Sequence, residues 1–153
     1  MTEPCLSPIT EVDADGLARI HATGFQQAWS AMDFLSLISG GASGRALTDS
    51  GALVGLLLWR VVADEAEILT IAVKPDYRRR GAGRCLLNGA LQALSGDGVD
   101  RVFLEVAEDN PAAIQLYRSV GFATVGRRKG YYRRDVQAVD AQVLQLKLNT
   151  EGH

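Results

Sequence analysis

The chain has 153 residues, 47% hydrophobic and 22% charged, a length and balance that suit one globular domain, 1–153, burying about 70% of its unfolded surface. A formal net charge of −2 argues against a general affinity for nucleic acid, and no apolar stretch approaches the roughly 20 residues of a membrane span. Basic clusters at residues 78–84 and 127–134 therefore need local explanations. Cys5 and Cys85 make no disulfide framework, and Cys85 is expected in the core. His21 and His153 have no metal-ligand residue types at useful spacing, so no metal is expected. Met1-Thr2-Glu3-Pro4 has neither a basic region nor an apolar run, so no signal peptide and a cytoplasmic location are expected.

In chain order, residues 5–10 suggest a short strand. Asp13 or Asp15 then caps a helix whose apolar positions Leu17, Ile20 and Phe25 share a face. Ser30-Ala31-Met32-Asp33 has the form of a capping box, a hydroxyl with an acid three residues on, followed by Phe34, Leu35, Leu37 and Ile38. Gly40, Gly41 and Gly44 mark a flexible loop. Three strands follow as an antiparallel meander, Arg45–Thr48, Ala52–Val62 and Glu65–Val73, turning at Asp49-Ser50-Gly51 and Ala63-Asp64. The nearly unbroken apolar run from Ile68 to Val73 predicts a central strand covered on both faces.

That strand runs into arginines and glycines that open a helix from Gly83 to about Ser95, with Leu87, Leu91 and Leu94 buried. Helix N-termini carry unpaired N–H groups and partial positive charge, so the stretch is a candidate pyrophosphate cradle. It is not a Walker A loop, because Arg84-Cys85 follows Gly83 where Lys-Ser or Lys-Thr is needed. Nor is it a dinucleotide fingerprint, whose third glycine is replaced by Leu86. The alternative is a tight turn with solvated arginines. A parallel strand, Arg101–Val106, points Val102, Leu104 and Val106 one way and Phe103 and Glu105 the other. Asn110 is placed to cap the next helix with Pro111 in its first turn, Ala113, Leu116, Tyr117 and Val120 forming the apolar stripe. Phe122–Arg128 and Val139–Leu148 read as a closing strand pair. Ligands gather beyond the C-terminal ends of adjacent parallel strands, which directs attention to the cradle, Glu105, Asn110 and Tyr117.

Taken in order, Trp29-Ser30, Asp64-Glu65-Ala66, Ile71-Ala72-Val73, Arg78-x-x-Gly-x-Gly, Leu104-Glu105-Val106, Asn110-x-x-Ala-x-x-Leu-Tyr117, Gly121-Phe122 and Arg128-x-x-Tyr-Tyr132 resemble the GNAT N-acetyltransferases. Within them they look like the ribosomal-protein-alanine N-acetyltransferase branch, the RimI type. The resemblance implies an α/β (α+β) GNAT fold, a mixed central sheet of about six to seven strands with about four helices. It implies acetyl transfer from acetyl-CoA to a protein's N-terminal amine. Ile71, Ala72 and Val73 would present backbone groups to the pantetheine and thioester, and Arg79, Arg80, Gly81, Ala82, Gly83 and Arg84 would hold the pyrophosphate. Asn110 would bond the pantetheine arm or merely cap its helix. Glu105 matches the family's base, with a strand glutamate satisfied by an arginine as the alternative; Tyr117 matches its acid, or else lines the core. Trp29, Tyr131 and Tyr132 would line the peptide slot or simply pack. Arg133 and Arg134 depart from the pattern and would disfavour a strongly basic target peptide. The competing functions are acetylation of a small amine or a lysine, and a non-catalytic acyl-CoA-binding or RNA-binding module.

Overall fold

The computed structural model describes residues 4–25, 27–78, 80–134 and 137–148. They form β1 (Cys5–Pro8), α1 (Ala14–Ala22), α2 (Ala31–Ser39), β2 (Ser43–Asp49), β3 (Ala52–Val62), β4 (Glu65–Val73), α3 (Ala82–Gly96), β5 (Arg101–Ala107), α4 (Pro111–Ser119), β6 (Ala123–Arg134) and β7 (Gln137–Lys147). The strands make one seven-stranded mixed sheet in the order β1-β2-β3-β4-β5-β7-β6, with β1 and β6 at its ends. β4 and β5 are parallel, Glu65 opposite Arg101, and β5–β7 and β6–β7 are antiparallel. The chain divides into two compact units, Met1–Arg60 with Leu69–Ala93 and Val61–Ile68 with Leu94–His153.

In the first unit, α1 buries Ala14, Leu17, Ile20 and His21, one face at helical spacing. Asp13 holds the N-cap position, but its carboxylate bonds the Thr10 N–H (2.8 Å) in the single 3-10 turn before α1 and makes no cap to α1 itself. The helix ends at Ala22, so Phe25 does not lie on its face as the spacing suggested. The capping box at α2 forms as expected: Asp33 N–H donates to Ser30 Oγ at 3.1 Å, and Ser30 N–H to Asp33 Oδ2 at 2.8 Å. Phe34 enters the core with Leu17, Ile20, Leu56, Leu58 and Ala72. Full burial of such a side chain contributes about 1.5–3 kcal/mol. Gly44 is no loop residue. It lies in β2 opposite Leu58, where a Cβ would strike the Leu57 carbonyl oxygen, so the strand requires glycine for close approach.

The apolar run of β4 does not read as uniformly covered. Ala66, Ile68, Thr70 and Ala72 are buried, while Leu69, Ile71 and Val73 between them are half-buried. On α3, Leu86, Leu87, Ala90 and Leu94 are buried, whereas Leu91 is only half-buried. Cys85 is exposed, correcting its assignment to the core. In the second unit, β5 alternates as its sequence predicts, with Val102, Leu104 and Val106 inside. Phe122 is buried just ahead of β6, and both closing strands extend beyond the lengths expected, to Arg134 and from Gln137. No helix among the described residues is long and apolar enough to cross a membrane.

Candidate active site

The first unit carries the cradle. After β4, Lys74 N–H donates to the Val54 carbonyl (2.8 Å), and one 3-10 turn, Pro75–Tyr77, leads to the arginines. Tyr77 donates its hydroxyl to Asp49 (2.6 Å), an acceptor bond that raises the phenol's pKa. The Arg80 guanidinium lies 4.7 Å over the Tyr77 ring and donates to the Asp76 carbonyl (3.1 Å). Arg78 joins two segments, donating from Nε to the Val73 carbonyl (3.0 Å) and from Nη2 to the Thr23 carbonyl (3.3 Å). Gly81 takes φ +80°, a left-handed conformation that favours glycine. The helix begins at once at Ala82, one residue earlier than expected, which places Gly83 inside its first turn. The first helical bond runs from Cys85 N–H to the Gly81 carbonyl (3.0 Å), leaving the N–H groups of Ala82 and Gly83 without an acceptor in the helix. No acidic residue sits in this turn, so its partial positive charge adds to that of the arginines. Arg79 lies outside the described residues.

The same unit holds a group that the sequence did not single out. His21, only 2% exposed, places Nε2 3.0 Å from Thr70 Oγ1 and accepts the Trp29 N–H on Nδ1 at 3.0 Å. Its ring stacks with those of Phe25 (4.1 Å) and Trp29 (4.8 Å) and meets Phe34 edge-on. Burial lowers the imidazole pKa from 6.5 to about 4. As pH falls the unfolded chain therefore takes the proton first, so this contribution to stability is present above 6.5 and is lost on the way to about 4. We expect the stability difference between wild type and His21→Phe, measured by urea melts, to shrink by on the order of 2–3 kcal/mol from pH 7.5 to pH 4. A difference constant with pH would mean that His21 titrates alike in both states.

In the second unit Glu105, half-buried on β5, is held by Arg128, whose Nη1 donates to Oε1 (2.8 Å) and Oε2 (3.2 Å). That bond raises the guanidinium's own pKa. Arg128 also lies 3.9 Å over the Tyr131 ring. Residues three apart in a regular strand stand on opposite faces, so this contact depends on a bulge. Arg128 pairs with Ala141 and Tyr132 with Val139, four residues of β6 spanning two of β7, with Gly130 at φ +61°. Asp140 fixes the bulge, its Oδ1 accepting the Gly130 N–H (2.8 Å) and its Oδ2 an Arg127 Nη2–H (3.1 Å). Arg127 further pairs with Glu108 (2.7 Å). Arg127 and Arg128 of the basic cluster are thus occupied locally. The side chains of Tyr132, Arg133 and Arg134 lie outside the described residues.

Asn110 does cap α4, Oδ1 accepting the Ala113 N–H (3.2 Å), which leaves both Nδ2 hydrogens for a contact with a pantetheine arm. Tyr117 is buried, its ring edge-on to Phe122 at 5.9 Å. Glu105, Arg128 and Tyr131 are therefore brought together within one unit, and Trp29 is tied to β4 within the other. The bridge to Arg128 is the arginine partner offered as the alternative for Glu105, whereas His21 and the Arg128–Tyr131 contact escaped the sequence because a lone histidine and an odd-spaced Arg/Tyr pair carry no periodic signal. The one polar residue of the run Ile68–Val73, Thr70, was the available clue. Among the described residues no three His, Cys, Asp or Glu side chains gather as a metal site.

Residues 15–122 match the Acetyltransferase (GNAT) family. The chain is 33% identical to the ribosomal protein bS18-alanine N-acetyltransferase of Escherichia coli K12, over 94% of this chain and 97% of that one. It is 40% identical to the N-alpha-acetyltransferase RimI of Mycobacterium tuberculosis, over 94% and 93%. The crystal structure of the ribosomal-protein-S18-alanine N-acetyltransferase from Escherichia coli aligns with a TM-score of 0.90 at 33% identity, covering 95% and 94% of the two chains. Arabidopsis thaliana NAA60 in complex with acetyl-CoA aligns with a TM-score of 0.84 at 26% identity, covering 96% and 99%.

Proposed function

The chain belongs to the acetyltransferase (GNAT) family and is an N-acetyltransferase, and from that premise we propose that it moves the acetyl group of acetyl-CoA to the N-terminal α-amine of a protein. Ribosomal proteins are the first acceptors to try. The observation that carries this reading is the identity of 33% and 40%, over 94% of the chain, to enzymes named for alanine and α-amine acetylation. The cradle supports the cosubstrate: a left-handed glycine, first-turn amides at Ala82 and Gly83 with no acceptor in the helix, and anchored arginines suit a pyrophosphate.

In this reading Arg79, Arg80, Gly81, Ala82, Gly83 and Arg84 surround the pyrophosphate. Ile71, Ala72 and Val73 offer backbone groups to the pantetheine and the thioester oxygen; the Val73 carbonyl already accepts one bond from Arg78. Asn110 Nδ2 donates to the pantetheine arm. Acetyl-CoA supplies an activated carbonyl with a thiolate leaving group. Glu105 takes a proton from the amine through water as nitrogen bonds the carbonyl carbon, and Tyr117 gives its proton to the sulfur as the C–S bond breaks. Trp29, Tyr131 and Tyr132 border the incoming chain end.

The acceptor is testable by its basicity. An α-amine of pKa about 8 is about one-tenth neutral at pH 7, whereas lysine at about 10.4 is neutral in roughly one molecule in 2,500. Three acceptors should be compared by CoA release: a peptide beginning with alanine, the same peptide blocked at its N-terminus with an internal lysine free, and spermidine. We expect kcat/KM for the first to exceed the others by about a hundredfold or more. Comparable values would replace the α-amine by a lysine or a small amine as the acceptor.

A further inference from the structure

One buried side chain ties together two segments with different tasks in the proposed reaction. His21 lies in the last turn of α1, and the chain that follows carries Phe25 and Trp29 before α2 begins. A backbone N–H can only donate, so the Trp29 bond requires His21 Nδ1 to carry no proton. The neutral ring then bears its proton on Nε2 and donates it to Thr70 Oγ1. Protonation or the other tautomer would break the Trp29 bond. Thr70 is followed directly by Ile71, Ala72 and Val73, the backbone assigned to the thioester. The Phe25 and Trp29 rings stack on the imidazole, and two rings within 5 Å of so small a ring occupy opposite faces. Arg78 adds a second tie between the same regions, from the Thr23 carbonyl to the Val73 carbonyl.

We propose that His21 is a positioning residue for the acceptor: it fixes Trp29 against β4 just ahead of Ile71–Val73 and so sets how readily a peptide N-terminus binds. The inference rests on the acceptor and cosubstrate assignments made above. Its physical basis is the cost of order. A connecting segment outside any helix or ladder costs about 1–2 kcal/mol per residue to fix. Where side-chain bonds fix it in advance, the acceptor does not meet that cost on binding. Trp29 N–H, part-buried, has its acceptor in His21, and removing that acceptor costs the bond and part of the donor's desolvation.

His21→Phe keeps a ring for the stack and removes both hydrogen bonds. We expect KM for an alanine-initiated peptide to rise about tenfold, with KM for acetyl-CoA and kcat within about threefold of wild type. The Trp29 amide should exchange with solvent about tenfold faster or more. His21→Asn, whose Oδ1 can accept near the place of Nδ1, should restore most of the protection and of the peptide KM. Loss of stability alone would move neither the KM ratio nor this rescue. In the wild-type protein at pH 7.5 the imidazole nitrogen resonances should show the Nε2–H tautomer; the Nδ1–H tautomer would overturn the inference, as would an unchanged peptide KM in folded His21→Phe. Should that variant not fold, Thr70→Val removes only the Oγ1 partner and should raise peptide KM about threefold, and an unchanged KM there overturns it equally. If wild type acetylates no peptide, the acceptor assignment falls, and the tautomer together with Trp29 amide exchange still decides whether His21 holds the segment.

Discussion

Tyr117→Phe is expected to lower kcat about a hundredfold while acetyl-CoA binds as tightly as before. General acids contribute about 10²–10⁴-fold, and a thiol leaves more easily than an alcohol because its pKa is nearer 8.5, which argues for the lower end. The substitution isolates the hydroxyl. The ring is buried and edge-on to Phe122, and phenylalanine preserves that packing, so stability should change by only about 1 kcal/mol. Steady-state kcat on an alanine-initiated peptide, paired with a calorimetric Kd for acetyl-CoA, decides the matter. Unchanged kcat would reduce Tyr117 to a core tyrosine; a lost Kd would move its role to cosubstrate binding.

Glu105→Gln should cost about a hundredfold in kcat/KM at pH 7 and much less near pH 9. At the lower pH most of an acceptor of pKa about 8 is ammonium and needs a base; at the higher pH it arrives already neutral. The bridge to Arg128 makes the substitution informative. A glutamine Oε1 can still accept the 2.8 Å bond from Arg128 Nη1, so the side chain stays in place and only its basicity is removed. A defect equal at both pH values would assign Glu105 to anchoring Arg128 and not to proton transfer.

The strands and their turns were legible because local rules governed them. Ser50, Gly51 and Ala63 do take positive φ at the two expected turns, and the capping box at Ser30 forms as written. Alternation placed Glu105 correctly on the half-buried side of β5. Gly44 misled because a glycine needed for close approach across strands looks the same in sequence as one that loosens a loop. Cys85 misled because its neighbours Leu86 and Leu87 are core residues, and one position of offset on a helix turns a side chain by about 100°. The candidate site was legible where glycines and caps mark it. His21 was not, since its partners Trp29 and Thr70 lie 8 and 49 residues away. Arg128 was present in a motif, but its contact with Tyr131 needs a bulge that only the register of β7 reveals.

The place of β6 at the end of the sheet has a consequence for what the chain avoids. Twelve residues of strand with no second neighbour among the described strands offer a line of amide donors and carbonyl acceptors on which another extended chain, including a second copy, can align. Regular pairing needs an even repeat of about 3.4 Å per residue, and two extra residues around Gly130 put such a partner out of step halfway along. Arg127 and Arg128 sit just before the break in ion pairs with Glu108, Asp140 and Glu105, so a strand laid beside them would also have to accommodate those charged side chains. Asp140, by holding the Gly130 amide, keeps that irregularity in place, and so the carboxylate that shapes the Arg128–Tyr131 contact also sets where along this border an added strand would lose its register.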